Sequence, residues 1–395
     1  MRNFIPLVAL VSCCAVSVSA AVSCTVTAAG AGKDDAPALL AAVQACPTTI
    51  IPTGTTLNIS TRLDMTGLSN KEIKLQGTIR FNPNIPYWSG NGFSYPFQTQ
   101  VTFWQLGGSN LRIDGGGTLD GAGQAWYDAF NKNSSLLRPI LLTIYKAQNV
   151  VIEGINMINS PEWFNFVNEG TGITYNLLNL SAVSTSKNLA KNTDGWDIYR
   201  SDSVTITNCN INNGDDCVAF KPNATNILVN NLLCNGSHGI SVGSLGQYPG
   251  VYDIVENVVA SNIRISNAEN GARVKAWAGK NVGSGIVKNV TFSGFTQTNN
   301  ANPVIIDQCY ETSASACSQY PSNTYINGVT FNGMVGTSSK KAAGSLLCSP
   351  DNRCANVAVN NFNLTYVKKG NLTYTCQNVA LTGNAASLFG TCTTT

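Results

Sequence analysis

Histidine is nearly absent from this chain: of 395 residues, only His238 is one. Charge is scarce as well. Lys, Arg, Asp and Glu make up 11% of the residues, and the formal net charge is +3, one unit of which is Arg2. That excludes a polybasic nucleic-acid binder, whose affinity needs clustered Lys and Arg against phosphates. A local basic site for an acidic ligand stays open. Beyond the first 18 residues no apolar run approaches the ~20 residues a membrane-spanning helix needs. Long helical periodicity is missing after residue 140. The one helical candidate is Asp35 to Cys46, with Ala and Leu at helix-like spacing.

The chain begins with the pattern of a secretory signal over residues 1–20. Arg2 supplies the positive end, Phe4 to Val18 is mostly apolar, and Val18-Ser19-Ala20 fits a small-residue cleavage site. A secreted, extracellular protein is expected, with no membrane anchor. Of the 13 cysteines, Cys13 and Cys14 lie in that segment and 11 remain. In an oxidising compartment these pair, and an odd count leaves one over. Short-range partners suggest Cys24–Cys46, Cys217–Cys234, Cys309–Cys317, Cys348–Cys354 and Cys376–Cys392, with Cys209 a buried free thiol in a strand-like run. Eight Asn-x-Ser/Thr sequons, at Asn58, Asn133, Asn179, Asn223, Asn235, Asn289, Asn363 and Asn371, agree with secretion and surface glycosylation.

A degenerate repeat runs through the chain: an apolar residue, then alternation, then Gly or Asn. Good copies are Asn149-Val150-Val151-Ile152-Glu153-Gly154 and Asn226-Ile227-Leu228-Val229-Asn230-Asn231. The units start at Leu111, Val150, Ile173, Val204, Ile227, Val258, Val290, Val329 and Val357, with steps between 23 and 39 residues. Short β-branched runs bounded by Gly and Asn read as strands, and a period in this range means a solenoid. The expected fold is all-β: a right-handed parallel β-helix, with the helix at Asp35–Cys46 capping its N-terminal end. A sandwich or barrel would use shorter, less self-similar units. No linker is visible, so residues 21–395 are expected to form a single domain. Asn208, Asn231, Asn262 and Asn361 are expected to stack as internal ladders.

Asp194, Asp216 and His238 are separated by two equal steps of 22 residues. In a solenoid, equal steps place side chains one above another, about 4.8 Å apart. Gly214 lets the backbone bend so that consecutive Asp215 and Asp216 both reach the same groove. Clustered carboxylates raise one another's pKa, and an acid held protonated beside ionised partners suits glycosidic hydrolysis. An isolated Asp-Asp in a turn is ordinarily turn chemistry. Equal spacing and a lone His one coil away favour function. Asn192 and Asp197 read as supporting residues and Asp202 as a turn residue; Trp88, Trp104, Trp126 and Trp163 are either core or sugar platforms.

Four ordered segments make the pattern specific: Asn192-Thr193-Asp194-Gly195-Trp196-Asp197, Gly214-Asp215-Asp216-Cys217, Gly236-Ser237-His238-Gly239 and Arg273-Val274-Lys275. They resemble the signature segments of the polygalacturonases, glycoside hydrolase family 28. The resemblance implies inverting hydrolysis of α-1,4-galacturonosyl bonds in pectin, with no cofactor and no metal, by a monomer. It casts Asp215 as general acid, Asp194 and Asp216 as the pair activating water, and His238 as the active-site histidine. Arg273 and Lys275 would bind galacturonate carboxylates, with Tyr310 at an adjoining subsite. Strand alternation puts Arg273 and Lys275 on one face independently of the family. Asn213-Gly214 before the Asp pair, the stretch from Ser237 to Tyr248, Trp196 and Ala276-Trp277 are more similar to the exo-acting branch. Aromatic-rich insertions at 86–97 and 125–130 and the Cys309–Cys317 loop are candidates to wall off a groove end, which would admit only a chain terminus. The competing readings are an endo-acting enzyme, a xylogalacturonan or rhamnogalacturonan hydrolase, a calcium-dependent pectate lyase and a non-catalytic carbohydrate-binding solenoid.

Overall fold

The computed structural model describes Met1 and residues 22–395; the rest of the expected signal, with Cys13 and Cys14, lies outside the described residues. Twenty-seven strands join in one continuous parallel ladder, coil upon coil. The apolar repeat starts are register partners: Leu111 with Val150, Val150 with Ile173, Ile173 with Val204, Ile227 with Val258, Val258 with Val290, Val290 with Val329 and Val329 with Val357. The link from the Val204 unit to the Ile227 unit keeps the same offset of 23, through Thr205 with Leu228.

The Asn residues flanking each unit make the corners. Asn149, Asn226, Asn257 and Asn289 precede the strands with φ of 55°, 56°, 58° and 53°, in the left-handed region that Asn tolerates better than most residues. Asn208, Asn231, Asn262 and Asn361 sit at the far corner with φ of 55–57°. Several stack as expected: Asn231 Nδ2 donates to Asn208 Oδ1 at 2.8 Å, and Asn361 Nδ2 to Asn332 Oδ1 at 2.8 Å. The ladders are exposed on the outside of the coil, however, not internal. A corner residue with positive φ turns its side chain outward, which leaves the interior to the alternating apolar residues.

That interior is one continuous apolar stack, with parallel ring pairs such as Phe292–Phe331 at 5.3 Å. Trp88, Trp104 and Trp126 are fully buried in it and are core, not platforms. The first helix, α1 (Ala36–Ala45), buries Ala36, Leu39 and Val43 against the first coils. Asp35 ties its start to the solenoid by accepting from Ala29 N at 2.7 Å and Asn58 N at 2.8 Å. It covers the N-terminal end, as expected. Three shorter helices follow: α2 (Ile85–Asn91), α3 (Gln124–Phe130) and α4 (Ala314–Gln319). All five expected disulfides are present, and Cys209 is a buried free thiol whose pKa burial pushes up to about 12.

One sheet of the solenoid carries the acidic residues. Its strands include Asn165–Asn168, Trp196–Tyr199, Val218–Phe220, Ile240–Leu245, Asn270–Trp277 and Asn302–Tyr310. Val167, Trp196, Ile198, Phe220, Val242 and Val274 point into the core. The alternate positions face out and line up in register as Phe166, Asp197, Ala219, Ser241, Arg273 and Ile305. This row forms a floor beneath the acidic cluster, with Phe166, Asp197, Ala219 and Ser241 fully buried.

Candidate active site

Trp196 pairs with Val218 and Val218 with Ile240, so Asp194, Asp216 and His238, each two residues earlier, stand at one level on successive coils. Gly195 N donates to Asp216 O at 3.0 Å and Cys217 N to Gly239 O at 2.7 Å, which locks the stack. Coils pass so closely here that a Cβ on Gly195 would lie 2.4 Å from Cys217 O, and one on Gly214 2.2 Å from Ala190 O. Glycine is therefore required at both positions. Buried Asn213 cross-links the turns, its Nδ2 donating to the carbonyls of Thr193, Asp215 and Asp216 at 2.9–3.0 Å. The Cys217–Cys234 bridge braces the same coil.

Carboxylate oxygens of Asp194, Asp215 and Asp216 converge within 4.8 Å of one another. Their surroundings differ. Asp216 is fully buried and accepts from Arg273 Nη2 at 2.9 Å, Lys275 Nζ at 2.8 Å and Ser241 Oγ at 2.7 Å. Burial opposes its ionisation, but the charges of Lys275, Arg273 and Lys221 override it and hold the carboxyl far below the usual range. Asp215 accepts from His238 Nδ1 and Asp216 N on Oδ1, at 3.0 and 2.8 Å, and from Asn192 Nδ2 on Oδ2 at 3.1 Å. Burial again works against ionisation; the His238 hydrogen bond and the His238 and Lys275 charges outweigh it, so the pKa falls. Asp194 has no such partners. Burial, then the negative charges of Asp197 and Asp215, hold it well above the carboxylate range. Of the three carboxyls, Asp194 is the one raised above the carboxylate range, while Asp215 and Asp216 are lowered.

His238 lies between two carboxylates, with Nε2 3.3 Å from Glu269 Oε2. Burial lowers its pKa, but the bond to Asp215 and the charges of Asp215, Asp216 and Glu269 raise it overall. A ring protonated at both nitrogens can donate to both carboxylates. Glu269 carries no motif signal and was missed. Glu269→Gln is expected to lower the His238 pKa; because this is the only histidine, its titration by imidazole NMR is read without assignment ambiguity. An unchanged titration would remove Glu269 from the site.

Two further residues were invisible to motif reading. Lys221, 5% exposed, pairs with fully buried Asp197 at 3.0 Å beneath the cluster. Burial lifts the Asp197 pKa to about 7 against the pull of Lys221. Arg138 donates to Asn192 Oδ1 at 2.8 Å. Asn192 thus links Arg138 to Asp215, Asp197 lies beneath the cluster, and Asp202 accepts from Thr225 Oγ1 on the next coil at 2.6 Å.

The groove is closed at one end. One coil before Asp197 the floor position is Phe166, covered by Tyr95 and Phe97 of the insertion, with Trp163 and Ile140 beside it. Phe97 stacks on Tyr199 at 3.9 Å, and Tyr95 meets Phe166 edge-on at 5.4 Å. The insertion has its own small sheet, Phe93–Tyr95 with Gln100–Thr102 and Pro139–Ile140. Gln98 N reaches Tyr248 Oη at 3.3 Å. In the second insertion Trp126 and Tyr127 of α3 are core, while Phe130 stacks on Arg138, its ring centroid 3.7 Å from Cζ, and lines a cavity beside Glu162 and Asn192. At the other end a cavity of about 510 Å³ opens beyond Arg273, lined also by Tyr310, Asp307, Glu269, Thr312 and Ser313. Tyr310 stands over Lys275 at 5.2 Å and packs edge-on against Trp277 at 5.8 Å.

The model of the glycosyl hydrolases family 28 matches residues 44–388. The chain belongs to that family. An exopolygalacturonase of Cochliobolus carbonum is 45% identical over 373 residues, covering 90% of this chain and 83% of that protein. A probable exopolygalacturonase X of Aspergillus fumigatus is 41% identical over 374 residues, covering 90% and 86%. Among solved structures, the endo-xylogalacturonan hydrolase of Aspergillus tubingensis superposes with a TM-score of 0.86 at 31% identity, covering 95% of this chain and 99% of that one. The Erwinia carotovora polygalacturonase gives 0.72 at 25% identity, covering 92% and 97%. This family 28 chain shares their right-handed β-helix.

Proposed function

We propose that this glycoside hydrolase removes single galacturonate units from the non-reducing end of polygalacturonate. The observation that carries the reading is the floor row itself. It runs from an end covered by Tyr95 and Phe97, past the three Asp residues, to Arg273 and an open cavity. A chain terminus fits such a groove, and an uninterrupted chain does not. Relatives at 41–45% identity bear the name exopolygalacturonase.

In this reading Arg273 and Lys275, which share Asp216 in the free site, are left with one net positive charge for one substrate carboxylate. Arg supplies a planar fork and Lys a point charge. Tyr310 borders the same subsite. Asp194 and Asp215 share a proton that rests on Asp194 without substrate. Moving it to Asp215 creates the reactive pair: Asp215 protonates the leaving oxygen, while Asp194, now ionised, and Asp216 hold and activate water. Asp194 keeps the proton taken from that water, which restores the resting site, and His238 stays bonded to Asp215 throughout.

The carboxyls are closer than the roughly 6.5–9.5 Å common in inverting pairs. Inversion is therefore inferred from the family, and the anomer released first, followed by NMR, tests it directly: β-galacturonate is expected. The lyase reading is disfavoured because both Asp216 oxygens and both Asp215 oxygens already accept from protein donors. Product analysis over time on polygalacturonate, in excess chelator, tests the whole reading. Saturated galacturonate alone from the first minutes is expected. Unsaturated, calcium-dependent products would contradict it, and an early ladder of oligomers would make the enzyme endo-acting.

The same proposal includes removal of residues 1–20 on secretion, one catalytic domain in the mature chain, a monomer outside the cell, and glycans on exposed sequons such as Asn133 and Asn371. Intact-mass measurement before and after deglycosylation checks the N-terminus and the glycans together.

A further inference from the structure

We propose that Arg138 is a positioning residue that acts on Asp215 through the side-chain amide of Asn192. Arg138 is 3% exposed, an uncommon place for a guanidinium. It donates to Pro161 O at 2.9 Å, Lys191 O at 2.6 Å and Asn192 Oδ1 at 2.8 Å, and pairs with Glu162 at 2.7 Å. Phe130, at the end of α3, covers its face.

A guanidinium only donates. Facing one, the Asn192 amide must present its oxygen, which turns its NH₂ toward Asp215, 3.1 Å from Oδ2. The flipped amide would set donor against donor on one side and carbonyl oxygen against carboxylate on the other. Arg138 therefore dictates that Asp215 Oδ2 receives an N–H, and its bond to Lys191 O holds the backbone next to Asn192, itself at φ 56°. Asp215 is also faced by His238 (backed by Glu269), by Asp194 and Asp197, by Asp216 with Lys275 and Arg273, by Glu162, and by the Arg138 charge itself. Among these groups Asn192 is the donor to Oδ2, and it is neutral. Its loss changes the stability of the Asp215 charge without changing the net charge of the site. Removing Arg138 is tolerable because burial lifts Glu162 to about 8 against the pull of Arg138, so at acidic pH Glu162 is already neutral.

The proposal rests on Asp215 handling the transferred proton. The experiment compares Arg138→Gln, Asn192→Gly (which keeps the left-handed backbone) and the double variant on polygalacturonate. The Asp215 carboxyl is also titrated by ¹³C NMR in each protein without substrate. A carboxylate that loses an N–H donor is less stable as an anion, so its pKa rises. Each single variant is expected to raise the Asp215 pKa, move the limb of the pH–rate profile that Asp215 governs to higher pH, and lower kcat about tenfold with KM unchanged. The double variant is expected to be no worse than the weaker single. Multiplicative losses, an unmoved Asp215 titration, or a raised KM at constant kcat would overturn the proposal, the last by making Arg138 a substrate contact. Wild-type inactivity on polygalacturonate would sink the proposed function instead, and the substrate-free titration would still decide the Arg138 question.

Discussion

Asp215→Asn is expected to reduce kcat on polygalacturonate by about 10³-fold or more, some 4 kcal/mol of barrier, with KM within a few-fold of wild type. Asn fills nearly the same volume and can accept from His238 Nδ1 and Asp216 N through its oxygen, losing only the bond from Asn192 Nδ2, so the turn should survive. What it cannot do is take the shared proton from Asp194 and release it to a leaving oxygen. The size of the loss reflects how the site divides its charge. Asp216 is committed to Arg273, Lys275 and Ser241, and is too weak a base to replace a missing acid. Asp194 is held above the carboxylate range by burial and the charges of Asp197 and Asp215, against the pull of Lys221, and in this reading serves as base. Steady-state kinetics with melting curves check this. A loss under tenfold with unchanged stability would show that another group donates the proton.

Opening the covered end is expected to change the products altogether. Replacing Phe93–Thr99 by a short Gly-Ser link, or Tyr95 and Phe97 by Ala, removes the rings that sit on Phe166 and Tyr199. The core ladder should tolerate this, because the insertion pairs with Gln100–Thr102 in a small sheet of its own and packs in a cluster separate from the main core. Uncovered floor then continues past Asp197 toward Phe166, and an internal stretch of chain can lie across the acids. The trimmed enzyme is expected to release di- and trigalacturonate early and to lower viscosity faster per bond broken. Monomer alone from a folded, trimmed variant would place the exo determinant elsewhere.

The outcome also bears on why some features could be read from residues and others could not. The coil starts were readable because their cause is local. Asn at positive φ marks a corner, and β-branched alternation marks the strand between corners, so nine aligned starts became register partners. The 22-residue steps were readable for the same reason: between Asp194 and His238 each coil adds the same number of residues. Short-range cysteines likewise found their neighbours within one coil. Glu269, Lys221 and Arg138 were not readable. Each meets its partner across coils, Lys221 with Asp197, Glu269 with His238, and Arg138 from 54 residues before Asn192, and nothing in the spacing of charges announces such a contact. The direction of the Asn ladders was misjudged because repetition shows that residues stack, not which way a left-handed corner turns them. Within 125–130, Trp126 and Tyr127 are core and Phe130 borders a cavity, a division that aromatic content alone does not reveal.

The central claim is that a chain enters with its non-reducing end against the Tyr95–Phe97 cover while the rest extends over Arg273 toward the open cavity. Hexagalacturonate labelled at its reducing end tests this most directly, with products resolved at single-turnover times. The expected result is unlabelled galacturonate together with labelled pentagalacturonate, and label retained in every shortened product until the last bond is cut. Label appearing in the monomer at the first turnover, or in internal fragments, would contradict the account.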